Sequence, residues 1–239
     1  MSENIWILSS VRSGSWFLCD LLNQTTNFEF IEKMHWNNPN RCIYPATCKV
    51  LRRHFLSLHS DKSKKKIENK LKNIKYIWLH RKDNYARAVS LYFSLISNIW
   101  KNSLSNKKNK FLECQNNLYP FFEDLILKCY WEVSSKFHND WDNYLNTSNY
   151  LYVNYDDLIL DTKITLQKIL NYLNIKTFCQ YKINSMPMKR IQTNEFIQRL
   201  MVIANKKNHY EIITKSDLDV YAKLREAFVL KCKNHFYQM

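Results

Sequence analysis

Arg12-Ser-Gly-Ser15 puts a guanidinium, two hydroxyls and the only glycine of a 239-residue chain into four consecutive positions. Those residue types suit a phosphorus or sulfur oxyanion. An arginine fork grips two oxygens at once. A glycine lets the backbone approach a ligand closely or take a positive φ. The surrounding run is Ile5-Trp-Ile-Leu-Ser-Ser-Val-Arg-Ser-Gly-Ser-Trp-Phe-Leu-Cys-Asp-Leu-Leu22. It is apolar at first, then small and polar, then apolar at helical spacing. That order predicts a strand, a tight loop and a helix, whose N-terminal N–H groups and dipole attract anions. The loop lacks the Gly-Lys-Ser/Thr ending of a Walker A motif, so no lysine reaches a γ-phosphate in the usual way. Taken alone, it is equally an ordinary βα turn with an exposed arginine.

A second set follows at Leu79-His-Arg-Lys-Asp-Asn-Tyr-Ala-Arg-Ala-Val-Ser90. Arg81 falls at the tip of an apolar strand. Ser90 is seven residues beyond Asp83, on the same helix face and near the face of Arg87. An arginine and a hydroxyl from a second βα unit suit a second anionic group. Two separate grips imply a ligand with two separated charges, whereas a triphosphate needs one cradle and an acid for its metal. Asp156 and Asp157 are ordinary candidates for such an acid.

The elements that must hold these residues alternate. Ile5–Leu8 predicts strand and Ser15–Asn23 helix. Phe28–Glu32 predicts a short extended segment, and Cys48–Leu51 and Lys75–His80 predict strands. Lys62–Lys72 predicts helix. Asp83 is placed to cap a helix with Tyr85, Ala88/Val89, Tyr92/Phe93, Ile96 and Ile99/Trp100 on one face. Residues 102–118 read as loop, and Pro120 to about Tyr144 as a long helix. Tyr150–Asn154 predicts strand. Asp161–Leu173, Thr193–Ala204 and Asp217–Lys233 predict helices. The fold class is α/β, a three-layer P-loop-like parallel sheet flanked by helices, with a helical C-terminal extension. One domain is expected over 1–239, with a core of about 4–175 and a C-terminal helical segment of about 190–236. The loops after Leu8, His80 and Asn154 should share the rim where such sheets bind ligands.

Composition narrows the partners. Apolar residues at 46% and aromatics at 15% suffice for a core, so disorder is not expected. The net charge of +15 favours an anionic partner. Lys, Asn, Ile and Tyr are abundant and Gly and Pro scarce, as in an AT-rich coding bias, so the lysine excess is not by itself a nucleic-acid footprint. The run Asp61–Lys72 reads as a solvated helix face. The seven cysteines are scattered without a Cys-x-x-Cys pair and read as reduced thiols. No stretch approaches a membrane span or a secretory signal, so a cytoplasmic protein without a transmembrane segment is expected.

The two anion-grip segments resemble motifs of sulfotransferases that use 3′-phosphoadenosine 5′-phosphosulfate (PAPS), most closely the trehalose-2-sulfotransferase type. Arg12-Ser-Gly-Ser15 with Leu18 and Asp20-Leu-Leu22 is similar to the 5′-phosphosulfate motif. His80-Arg-x-Asp83 with Ala88-Val-Ser90 and Trp100 is similar to the 3′-phosphate motif. Val153-Asn-Tyr-Asp-Asp-Leu158 resembles the family's Tyr-Glu-Asp-Leu element. Pro187-x-x-Arg190, with Gln192 and Glu195–Arg199, is a fourth match.

The resemblance implies that Arg12, Ser13, Gly14, Ser15 and the backbone to Trp16 bind the phosphosulfate. It gives Arg81 and Ser90 the 3′-phosphate, places Tyr155 near the adenine, and adds a phosphate contact from Arg190. It gives the general base to an acidic residue soon after the first helix. Glu32 fits best, with Glu29 and His35 as rivals, and Lys49 matches a lysine on the next strand. The implied reaction moves a sulfuryl group to a hydroxyl of a carbohydrate or small metabolite, leaving adenosine 3′,5′-bisphosphate, with no metal required. Arg12 would stabilise charge on the transferring and leaving groups. Trp16 departs from the usual small Ser/Thr, and the missing glycines and proline near the base imply a diverged acceptor pocket. The alternatives are a kinase-like P-loop phosphotransferase, a PAPS-binding homologue without catalysis, and a basic nucleic-acid binder. The last leaves both grips unexplained, so nucleic acid is not expected. A homodimer stays open.

Overall fold

The computed structural model describes residues 4–26, 29–31, 46–51, 74–97, 121–134, 149–175, 193–206, 219–220, 222–224 and 226. The chain groups into two compact units, Met1–Lys82 with Lys136–Met186, and Asp83–Ser135 with Pro187–Met239.

The first unit is built on a five-stranded sheet. Its strands are β1 (Asn4–Ser9), β2 (Glu29–Ile31), β3 (Ala46–Leu51), β4 (Ile74–His80) and β5 (Tyr150–Asn154). They lie in the order β2-β3-β1-β4-β5 with every pairing parallel. The expected parallel α/β sheet is therefore present. Parallel strands are usually covered on both faces and read as apolar runs. Ile5, Ile7, Ile77, Leu79 and Val153 alternate onto one face. They pack with Leu18, Cys19, Leu21 and Leu22 of α1 (Ser15–Thr25). Leu158 of the short α4 (Tyr155–Leu160) joins them, with Leu166, Ile169 and Leu170 of α5 (Thr162–Tyr172). Ile164 shares the α5 sequence but stays 55% exposed. The opposite face of the sheet carries aromatics. Trp6 meets Tyr76 edge-on, and Trp78 meets Tyr150 and Tyr152.

The second unit contains α2 (Asn84–Ser97), α3 (Glu123–Ser134) and α6 (Thr193–Ala204). Asp83 caps α2 as its sequence suggests, accepting from the Ala86 N–H at 2.8 Å. The predicted α2 face is buried at Ala88, Val89, Tyr92, Phe93 and Ile96. Phe196 of α6 packs on Phe93 at 5.0 Å, and the Tyr92 hydroxyl accepts from the Phe122 N–H. Residues 219–220 and 222–224 are helical, within the segment expected to be so. The predicted helix over Lys62–Lys72 lies outside the described residues.

Candidate anion-binding site

All-parallel pairing brings the carboxyl ends of β1, β4 and β5 to one rim. Ser9 is level with Leu79, and Leu79 with Val153. Arg12, Arg81 and Tyr155 follow directly on these strand ends.

The first loop takes left-handed backbone in two places, one of them at a non-glycine residue. Arg12 has φ 62° and Gly14 has φ 82°. Left-handed backbone at a non-glycine residue costs about 1–2 kcal/mol and concentrates at functional sites. Left-handed residues stand on either side of Ser13, and alternating right- and left-handed backbone is the pattern of anion-binding nests. Gly14 is also the N-cap of α1 and has no side chain to cap it, and the first turn of α1 holds no acidic residue. An anion would supply the missing negative partner. The Ser13 hydroxyl is committed elsewhere. It is fully buried and shares a 2.8 Å hydrogen bond with the Ser10 hydroxyl, so it braces the loop from inside. Ser15 is buried as well, and Trp16 is half-buried.

Gly14 has a second reason to lack a side chain. A Cβ there would run into Cδ2 and Cε2 of the Tyr155 ring. Tyr155 opens α4, which Asn154 caps by accepting from the Asp156 N–H, and Leu158 anchors that helix in the core. The register pair His80–Asn154 places Arg81 across from Tyr155. The Arg81 guanidinium carbon lies 4.7 Å from the Tyr155 ring centroid, a cation–π contact. Burial raises the Tyr155 phenol above its ordinary pKa; Arg81 opposes this, Asp156 adds to it, and Arg12 opposes it again. The hydroxyl is therefore neutral at physiological pH, and both guanidinia act on it.

Two polar atoms here are buried without a hydrogen-bond partner among the described residues, Ser9 Oγ and Arg81 Nε. Buried donors are rarely left so in native proteins unless water or a ligand completes them. The orphaned donors, the side-chain-free glycine cradle and the two arginines all fit a phosphate or sulfate group. No group of three or more His, Cys, Asp or Glu that would hold a metal occurs among the described residues.

Ser90, half-buried, lies on α2 in the second unit, and so does Arg87, which is fully buried and donates to Asn84 Oδ1 at 2.9 Å. Glu32, His35 and Arg190 lie outside the described residues. Glu29 lies inside β2, paired with Ala46, which is level with the Asn4 end of β1. Five residues of strand separate that level from Ser9, about 16 Å at the usual rise. Lys49 is level with Ile7 in mid-sheet. The Gly14–Tyr155 contact was invisible to sequence reasoning, although the short cap-and-helix signal at Asn154-Tyr-Asp-Asp157 was there to be read.

A parallel α/β sheet whose first βα loop carries an arginine and a left-handed glycine defines a protein of P-loop-like build. Residues 2–237 match the sulfotransferase domain family, and the chain belongs to that family. The mouse sulfotransferase SULT7A1 complexed with PAP is similar over 87% of this chain and 67% of its own, at 17% identity and TM-score 0.41. The sulfotransferase domain from the curacin biosynthetic pathway is similar over 93% and 97%, at 14% identity and TM-score 0.41. Retinol dehydratase in complex with androsterone and inactive cofactor PAP is similar over 96% and 80%, at 13% identity and TM-score 0.37. No curated protein matches the sequence. No described helix is long and apolar enough to cross a membrane.

Proposed function

We propose that this sulfotransferase-family chain acts as one domain that moves a sulfuryl group from PAPS to a hydroxyl of a carbohydrate or small metabolite, as in the trehalose-2-sulfotransferase branch. The observation that carries this is the cradle at Gly14, with Arg81 held beside it by the β4–β5 register. Bound PAPS supplies an activated sulfuryl group on a phosphate leaving group. Arg12 and the N–H groups from Ser13 to Trp16 hold the phosphosulfate and stabilise charge on the departing phosphate. Arg81, with Ser90 and Arg190, serves the 3′-phosphate. Glu32 takes the proton of the attacking hydroxyl, and the acceptor is held in line. Tyr155 stands beside the nucleotide.

Adenosine 3′,5′-bisphosphate binds only the folded chain in this reading, so at 100 times its dissociation constant it stabilises by about 2.7 kcal/mol. For a chain of this length that raises the melting temperature by about 5–10 °C. No shift at millimolar ligand sinks the cofactor assignment. A shift with ATP and Mg²⁺ but none with the bisphosphate favours a phosphotransferase.

Arg81→Ala removes a charged donor, worth about 1.5–3 kcal/mol. Calorimetry should show bisphosphate binding weakened by about 10- to 100-fold. An unchanged dissociation constant would remove Arg81 from the site.

A further inference from the structure

We propose that Tyr155 is a positioning residue of the anion site, its ring seated against the bare Cα of Gly14 and presenting its π face to the Arg81 guanidinium. The inference rests on the sulfotransferase reading for the identity of the ligand, and on the described contacts for everything else.

Arg81 has to be held in place without losing its charge. The commonest restraint for an arginine is a carboxylate, which would neutralise it and compete with an incoming anion. Among the described residues no carboxylate lies within salt-bridge distance of Arg81. The Tyr155 ring takes that place at 4.7 Å. A ring face attracts the guanidinium but accepts no in-plane hydrogen bond. The planar donor edges are therefore not taken up by a carboxylate, and among the described residues the buried Nε has no acceptor. The phenol is neutral at physiological pH and burial moves its ionisation further up, so it adds no opposing charge.

The same ring limits the loop. Its Cδ2–Cε2 edge occupies the volume of a Gly14 side chain, so loop and arginine are gauged against one rigid group. The ring is itself fixed by the β5 register, the Asn154 cap and Leu158 in the core. The contact needs the ring and not the hydroxyl. That separates this role from direct hydrogen bonding to a nucleotide base.

The test compares Tyr155→Phe and Tyr155→Leu with the full-length wild type, using calorimetric titration with adenosine 3′,5′-bisphosphate. Tyr155→Phe is expected to bind within about threefold of wild type, and Tyr155→Leu about tenfold more weakly, the effect of one partly desolvated cation–π contact. In ligand-free protein, the Arg81 Nε–H resonance should carry an upfield ring-current shift that Phe keeps and Leu loses. The wild type should show a cross-relaxation peak between the Tyr155 ring protons and Arg81. Equal losses in Phe and Leu would transfer the role to the hydroxyl and overturn the proposal. So would wild-type binding by Leu, or absence of the cross peak, which needs no variant to fold. If the wild type fails to bind the bisphosphate, the sulfotransferase reading falls, while the ligand-free spectra still judge the Tyr155–Arg81 contact.

Discussion

Gly14→Ala should abolish measurable cofactor binding at micromolar ligand, a loss of about 100-fold or more, and lower the melting temperature by about 5–15 °C. Two independent costs add. At φ 82° an alanine pays the left-handed penalty of about 1–2 kcal/mol. Its Cβ also meets Cδ2 and Cε2 of Tyr155, and overpacking of that kind costs about 1–3 kcal/mol. The ring cannot retreat freely, because β5 and the capped α4 hold its backbone. Whatever retreat it makes carries the Arg81 contact with it, so affinity falls further than stability. The two costs separate in the double variant Gly14→Ala with Tyr155→Ala. Removing the ring should restore part of the melting temperature and none of the binding. Cofactor binding at wild-type strength in Gly14→Ala would show that neither the backbone conformation nor the ring matters to the site.

The strands that build this site were legible because each announces itself locally. Lys75–His80 and Tyr150–Asn154 are short apolar runs of strand length, and the sheet has them as β4 and β5. Asp83 before an apolar helical face gave the start of α2. The loop was legible through residue type, since the chain's one glycine stands two residues after an arginine. What stayed hidden depends on contacts between distant segments. Nothing local to Gly14 names Tyr155 as its neighbour; that follows from the order in which β1, β4 and β5 line up. The left-handed Arg12 was hidden because arginine has no preference for that region. The inward turn of Ser13 toward Ser10 was hidden because a serine reads the same whether it faces ligand or loop. The packing of Phe93 on Phe196 joins segments that no periodicity links.

Glu32→Gln is expected to lower turnover by about 10²–10⁴-fold while leaving the dissociation constant for adenosine 3′,5′-bisphosphate unchanged, the signature of a lost general base. Sulfuryl transfer to a hydroxyl needs a proton acceptor near the rim where the loop proposed for the phosphosulfate sits. In a parallel sheet that rim is reached from the carboxyl end of each strand. β2 runs parallel to β3, with its last residue Ile31 level with Cys48 and through it with Trp6, and Glu32 follows Ile31 in the sequence, outside the described residues. Glu29 enters β2 at the opposite end, level with Asn4, about 16 Å of strand from the level of Ser9. Glu29→Gln should therefore retain turnover within about twofold, as substitutions away from a site generally do. His35→Ala completes the set. A loss in His35→Ala with turnover intact in Glu32→Gln would give the proton to the histidine. A loss in Glu29→Gln would overturn the register argument, which separates Glu29 from the level of Ser9 along the strand direction.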